Sequence, residues 1–238
     1  MSSINYFRFP DVSNANEDGL LAMGGDLQVD TLVSAYAQGI FPWFNDDQPL
    51  LWWSPDPRMV LYPNDVKVSR SLAKTLRRKE FTVTCNTCFE DVISNCALRG
   101  RTSKASEDDA EGTWITDEMH TAYIELHKRA YAHSIEVWQN GSLVGGLYGL
   151  ALGTSFFGES MFSHVSDASK VGLVSLCKAL GRQGFTLIDC QVASDHLFSL
   201  GAVEISRESF LDQISNVDVN QAKPKFASDF TAALDTQN

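Results

Sequence analysis

Hydrophobic and polar positions change period several times along the chain. Residues 30–38 (DTLVSAYAQ) predict a short helix, with Asp30 as candidate N-cap and Gly39 as the stop. Residues 69–79 predict a second helix. Leu72 and Leu76 form its apolar face, while Arg70, Lys74, Arg77 and Arg78, at i, i+4, i+7 and i+8, share the other. TVTCNTCF reads as a strand running into a helix. Thr116 starts another helix, with Asp117 and Glu118 in its first turn and Met119, Tyr123, Leu126 and Ala130 as its buried stripe. From residue 133 the period falls to two. HSIEVWQ, the turn Asn140-Gly141 and SLVGGLYG predict a hairpin, and ALGTSFFGES a third strand. ASKVGLVSLCKALGRQG predicts a helix ending at a glycine and FTLIDCQ a buried strand. A short helix over 195–200 and a last strand in AVEISR follow. Hairpin, strand, helix, strand, helix and strand in that order imply a mixed sheet with helices packed on it, an α+β fold.

The first part of the chain has a different grain. Gly24-Gly25-Asp26 signals a turn, and four prolines between 42 and 57 exclude long regular structure. Residues 1–57 therefore predict a small irregular N-terminal domain with an aromatic surface, and residues 58–215 the mixed-sheet domain. RGRTSKASEDDAEG reads as a polar, mobile loop, and residues 216–238 as a loosely attached tail. No internal repeat is visible.

Composition narrows the class. With 44% hydrophobic and 21% charged residues, the 238-residue chain can bury a core and is not a disordered polymer. No apolar run approaches the ~20 residues of a membrane helix. The first residues lack the basic and apolar regions of a signal peptide, and five cysteines, an odd number, suit a reducing compartment; both predict a soluble cytoplasmic protein. A net charge of −11 argues against a nucleic-acid binder taken as a whole. Its distribution does not: between Asp65 and Glu80 every charged residue is basic. Such a helix face is commonly just solvated surface, but it also suits an RNA backbone.

Candidate chemistry is sparse. Asp189 and Gln191 end a buried strand, share a face on a regular strand, and could act together at the sheet edge. On spacing alone the catalytic reading is the rarer one, since a strand-end Asp often just caps the next helix. Cys190 should point the other way, into the core. In Gly158-Glu159-Ser160 a Gly-flanked carboxylate could approach a ligand closely, or could be an ordinary turn. Gly-x-Ser-x-Gly and HExxH are absent, so no hydrolase elbow or zincin helix is supported. Cys85 and Cys88 form a lone CxxC, read as two buried structural thiols, with no metal site. Trp43, Trp52 and Trp53 lie in Pro-rich loops, where an aromatic is more often a lid or stacking platform than core.

Taken in order, the blocks GLLAMGGDL, AYAQGIFPWF, LWWSPDPR, SRSL, EGTWIT, AHSIEVW, LVGGLYG, GESMFS, ASK and LIDCQ resemble the leucyl/phenylalanyl-tRNA–protein transferase family. The resemblance covers residues from about 19 to 210 and leaves out the tail. It implies a GCN5-related acetyltransferase-like fold for the mixed-sheet domain. It implies transfer of Leu or Phe, and less well Met, from aminoacyl-tRNA to the α-amino group of proteins with N-terminal Arg or Lys, which marks them for degradation. It implies no cofactor, no membrane partner and a monomer. Residue by residue, Asp189 and Gln191 correspond to the catalytic pair, and Trp43 and Trp114 to residues flanking the terminal adenosine. Glu159 corresponds to an active-site carboxylate. Leu147, Phe156, Leu173 and Leu176 correspond to the walls of the donor pocket, where Leu147 replaces a familiar Met. Arg70 and Lys74, with Arg77 and Arg78 on the same face, correspond to the tRNA-holding helix.

Two mechanisms stay open. Asp189 could orient Gln191 toward the attacking amine, or Asp189 and Glu159 could supply negative potential for a basic acceptor while a ribose hydroxyl carries the proton. Two other classes compete: a coenzyme A-dependent acetyltransferase, for which SHVSDASKVG lacks the pyrophosphate loop, and a non-catalytic RNA-binding module, which leaves the polar pair unexplained.

Overall fold

The computed structural model describes residues 3–102, 115–215, 217–220, 222–223 and 225–235. The N-terminal part holds three short strands and a helix. Leu20–Met23 (β1) is followed by Val29–Ala37 (α1), and Phe41–Pro42 (β2) and Leu51–Trp53 (β3) complete an antiparallel sheet in the order β1-β3-β2. The prolines hold these strands to two to four residues. Gln28, not Asp30, stands at the N-cap position of α1, and its side chain makes no capping bond. Asp30 lies in the first turn, where its charge suits the helix dipole, and its Oδ2 accepts from Asn5 N.

Arg58–Leu61 (β4) begins the second sheet. Arg70–Arg78 (α2) then leads to Thr82–Cys85 (β5), Phe89–Thr102 (α3) and Asp117–Lys128 (α4). Ser69 caps α2, its Oγ accepting from Leu72 N, and Thr116 caps α4 by accepting from Met119 N. Met119, Tyr123 and Leu126 are buried as the period predicts; Ala130 lies past the helix end at φ 60° and is only half-buried. Helix α3 runs through the first four residues of RGRTSKASEDDAEG. The rest of that loop, 103–112, lies outside the described residues.

Ala132–Gln139 (β6) and Ser142–Leu152 (β7) are the expected hairpin, with Asn140 at φ 51° and Gly141 at φ 79° in the turn. Ser155–Ser163 (β8), Ala168–Arg182 (α5), Leu187–Gln191 (β9) and Asp195–Ser199 (α6) follow. Val203–Ile205 (β10), Arg207–Ile214 (α7) and Phe226–Asp235 (α8) end the described chain. The large sheet has the order β10-β4-β9-β8-β7-β6-β5, with β8 and β9 parallel and the other neighbours antiparallel. The molecule is thus α+β: a small N-terminal sheet unit joined to a mixed sheet covered by helices.

One face of the large sheet shares its core with the N-terminal part. Leu32, Tyr36 and Trp52 belong to the same apolar cluster as Val92, Tyr123 and Phe157. The other face packs on α5 and α8. The segment read as a loosely attached tail is docked there. Phe226, Phe230 and Ala233, spaced i, i+4, i+7, are buried along α8. Its polar lead-in, VDVNQAKPK, masks that stripe in the sequence.

Trp52 also differs from expectation. It is core, and its Nε1 donates to Gly24 O. Cys85 is buried and Cys88 half-buried, with burial first among the causes that push the Cys88 thiol up to about 12. Among the described residues no group of three or more His, Cys, Asp or Glu could hold a metal ion, and no helix is long and apolar enough to cross a membrane.

Candidate functional site

The site forms where β9 ends. Arg58 on β4 faces Asp189 on β9, and both side chains are shut off from solvent. Arg58 Nε donates to Asp189 Oδ1 at 2.8 Å and its terminal nitrogen to Oδ2 at 2.7 Å, a bidentate pair. The other terminal nitrogen donates to Gly39 O at 3.1 Å. The guanidinium lies 4.8 Å from the Phe41 ring centre and 4.5 Å from that of Phe210. One cation thus ties β2, β4, β9 and α7 together.

Gln191 completes the arrangement. Its backbone N–H donates to Asp189 Oδ1 at 3.0 Å, and its Nε2 to Oδ2 at 3.4 Å. Its φ is 58°, in the left-handed region that costs a side-chain-bearing residue energy and collects at functional sites. Cys190 points to the opposite side of the sheet from Asp189, as alternation predicts, and packs beside Ile188 against the apolar core on the α5 side, where it also borders the cleft; burial followed by the Asp189 charge pushes its thiol well up. With Nε2 turned toward the carboxylate, the Gln191 amide oxygen is the end left for the cleft.

Two cavities meet at this point. The first, about 210 Å³, is walled by Leu147, Phe156, Leu173, Leu176 and Ile188. The second, about 180 Å³, lies against Phe41, Pro42, Trp43 and Val192. Glu159, Cys190 and Gln191 border both. Trp43 is 43% exposed, and Trp53 Nε1 donates to its carbonyl.

Glu159 stands at a bulge where β8 shifts register against β7. Tyr36 donates to its Oε1 at 2.6 Å and Tyr123 to its Oε2 at 2.8 Å, and the two tyrosine hydroxyls touch each other. Three oxygen–oxygen contacts close a ring, but the hydroxyls supply only two protons. When Glu159 carries a proton it donates to one tyrosine, that tyrosine donates to the other, and the second donates back to the carboxyl, so all three contacts are filled. Burial accordingly raises Glu159 to about 7; the tyrosine hydrogen bonds and Arg58 oppose the rise, and Asp189 adds to it. Burial, with the Glu159 charge behind it, also pushes both tyrosines well above their usual range.

The structure gathers most of the residues singled out from the sequence. Gln191, Glu159, Trp43, Leu147, Phe156, Leu173 and Leu176 all line the joined cavities. Asp189 lines neither; it sits behind Gln191, held by Arg58. Trp114 lies outside the described residues. Arg70, Lys74, Arg77 and Arg78 are exposed on α2, which Thr75 fastens to the start of α5 through Asp167 at 3.1 Å. Arg70 occupies the first turn, where a cation opposes the helix dipole, so helix stability does not account for it.

Arg58, Tyr36 and Tyr123 were missed as site residues. For Arg58 a signal existed: a lone charge in RMVL and a lone charge in LIDC, both in apolar strands, need each other when buried. The tyrosines carried no comparable signal, since each fits an ordinary buried stripe.

A protein-family model described as leucyl/phenylalanyl-tRNA protein transferase matches residues 60–215, and one described as its N-terminal domain matches residues 25–56. The chain is 58% identical over 210 residues to a leucyl/phenylalanyl-tRNA–protein transferase of Pseudomonas putida, covering 87% of this chain and 90% of that one. It is 56% identical over 204 residues to the enzyme of that name from Cellvibrio japonicus, covering 85% and 84%. Among solved structures it is similar to a GCN5-related N-acetyltransferase from Kribbella flavida, at 14% identity and a TM-score of 0.35, over 72% of this chain and 58% of that one.

Proposed function

The chain belongs to the leucyl/phenylalanyl-tRNA–protein transferase family, and from that premise we propose that it moves Leu or Phe, and less well Met, from aminoacyl-tRNA to the α-amino group of proteins with N-terminal Arg or Lys. It is an aminoacyltransferase acting on aminoacyl-tRNA and protein. In our proposal it works as a cytoplasmic monomer and marks its acceptors for degradation. Residues 1–57 form the smaller domain and 58–215 the catalytic one.

The observation that carries the proposal is the pair of cavities joined at Gln191. The apolar cavity takes the Leu or Phe side chain. The cavity under Trp43 takes the terminal adenosine, whose base gains roughly 1–3 kcal/mol by stacking on an aromatic ring. The ester between them then lies at the shared rim.

There the acceptor's amine attacks the ester carbonyl. A C–N bond forms, the C–O bond to the ribose breaks, and the amine's proton ends on the released ribose oxygen. The donor is already activated, so alignment supplies much of the rate. Asp189, fixed by Arg58, turns Gln191 so that its amide oxygen accepts a hydrogen bond from the attacking amine. An amide is too weak a base to keep the proton, so Gln191 aligns.

The competing view, in which Asp189 attracts the acceptor's positive side chain, is weakened by its enclosure and by its pairing with Arg58. Glu159 borders both cavities and remains the carboxylate able to meet that charge. The four cations of α2 hold the tRNA through its phosphates, independently of sequence.

Radiolabelled Leu-tRNA incubated with an Arg-initiated peptide tests the function directly. Label on the peptide supports it, and unlabelled peptide after full deacylation of the tRNA sinks it. Asp189→Asn separates the two roles: loss in kcat at saturating acceptor supports alignment, and loss confined to acceptor KM supports recognition.

A further inference from the structure

We propose that the C-terminal segment is a positioning element for the donor cavity, and that Phe226 fixes the place of the cavity wall residue Phe156. The proposal rests on the aminoacyl-transfer function above.

The family match ends at residue 215, yet the chain beyond it is fastened at several points. Val219 O accepts from Tyr131 Oη at 2.9 Å, Asn220 Oδ1 accepts from Ile4 N at 2.9 Å, and Lys223 N donates to Ala130 O at 2.8 Å. This strap spans from the N-terminal segment to the turn before β6 and delivers α8 to the back of α5. A main-chain carbonyl of α8, that of Ala233, accepts from Arg182 at the end of α5.

At the start of α8, Phe226 is 2% exposed. Its ring is nearly parallel to that of Phe156, at 6.0 Å and 25°. It stacks on His133 at 4.1 Å and 18°, and meets the edge of Phe185 at 6.1 Å. Asn86 Nδ2 contacts His133 Nδ1 at 2.9 Å, and burial, first among the causes, lowers the imidazole to about 3, so the stack carries no charge at neutral pH. Phe156 itself is fully buried and walls the apolar cavity. Close beside it is Gly149, where an added Cβ would lie 2.6 Å from the Phe156 ring. The Phe156 ring is therefore confined by strand backbone at Gly149 and by Phe226. Removing Phe226 gives it room to swing, and the cavity widens at that wall.

A wider cavity relaxes selection by size. In Phe226→Ala the ratio of kcat/KM for Phe-tRNA to that for Leu-tRNA is expected to rise at least about threefold, with donor KM changing more than kcat. Phe226→Leu keeps most of the volume and shifts the ratio the same way by a smaller factor, so it serves if the alanine variant does not fold. Phe230→Ala also removes a buried ring of α8, one that does not stack on Phe156 among the described residues. It is expected to lower stability and leave the ratio in place.

An unchanged ratio in both Phe226 variants overturns the proposal. An equal shift in Phe230→Ala also overturns it, because the effect then belongs to helix docking as a whole. If the wild-type chain transfers neither Leu nor Phe, the proposed function fails and this proposal fails with it. Transfer by the wild type with an unmoved ratio removes only the role of Phe226.

Discussion

Arg58→Met tests the Arg58–Asp189 pair most sharply. The substitution removes two charge-assisted bonds to Asp189, the bond to Gly39 O and two ring contacts, in a site with no solvent access. It leaves the Asp189 carboxylate buried, with the Gln191 N–H groups as the partners that remain to that side chain among the described residues. Breaking a buried pair from one side costs ~3–5 kcal/mol. Replacing both members by apolar residues is often close to neutral, since desolvation of both charges is avoided. The double variant Arg58→Met/Asp189→Leu should therefore recover most of the stability lost by either single variant. Urea unfolding of the four proteins gives the cycle, with an expected coupling of about 3 kcal/mol. Transfer should behave differently. In the folded double variant nothing orients the Gln191 amide, and misalignment on the order of 1 Å costs about 10²-fold in kcat. A double variant with recovered stability and kcat within a few-fold of wild type would refute the orienting role. A loss of less than about 1 kcal/mol in Arg58→Met would refute the buried-pair energetics themselves.

Two further outcomes are expected. Glu159 is held near 7 when folded, against 4.5 for the free side chain, so the folded state binds its proton more tightly. Its contribution, about 3 kcal/mol, is fully present below pH 4.5 and is lost as pH rises through 7. Glu159→Gln should remove that slope. Urea midpoints from pH 5 to 8 check this, and a wild-type–variant difference that stays constant with pH counts against it. Substituting Arg70 or Lys74 by Ala should weaken tRNA binding and lower its salt slope by about 1 each. Filter binding at several salt concentrations measures this, and an unaltered slope would free the basic face from any phosphate role.

Local chemistry was legible where a few neighbouring residues decide the outcome. Asn140-Gly141 specifies a turn with both residues at positive φ, and Thr116 specifies a cap, with no help from elsewhere in the chain. Long-range pairing was not legible. Strand alternation puts Asp189 and Cys190 on opposite faces, and they lie so, but Arg58, which holds Asp189 inward, comes more than a hundred residues earlier, and nothing local marks the left-handed Gln191. Trp52 was misread because strands of two to four residues leave no periodic trace among prolines. Helix α7 went unread since Phe210 and Ile214 alone mark its apolar side, and α8 was hidden by the charge and proline ahead of it.

The shared rim of the two cavities has a consequence for fidelity. The floor of the apolar cavity and the amide of Gln191 are both fixed to the same sheet, so the span between them acts as a gauge. Under the proposed donor binding, a side chain of the right length brings its ester level with Gln191. A shorter one leaves the ester drawn inward or loosely held, and a bulkier one leaves it standing proud. A misfit that costs little in affinity is thereby converted into an error of position at the reacting carbon. The pocket need not exclude wrong amino acids to reject them; it is enough that they arrive out of step with the amine.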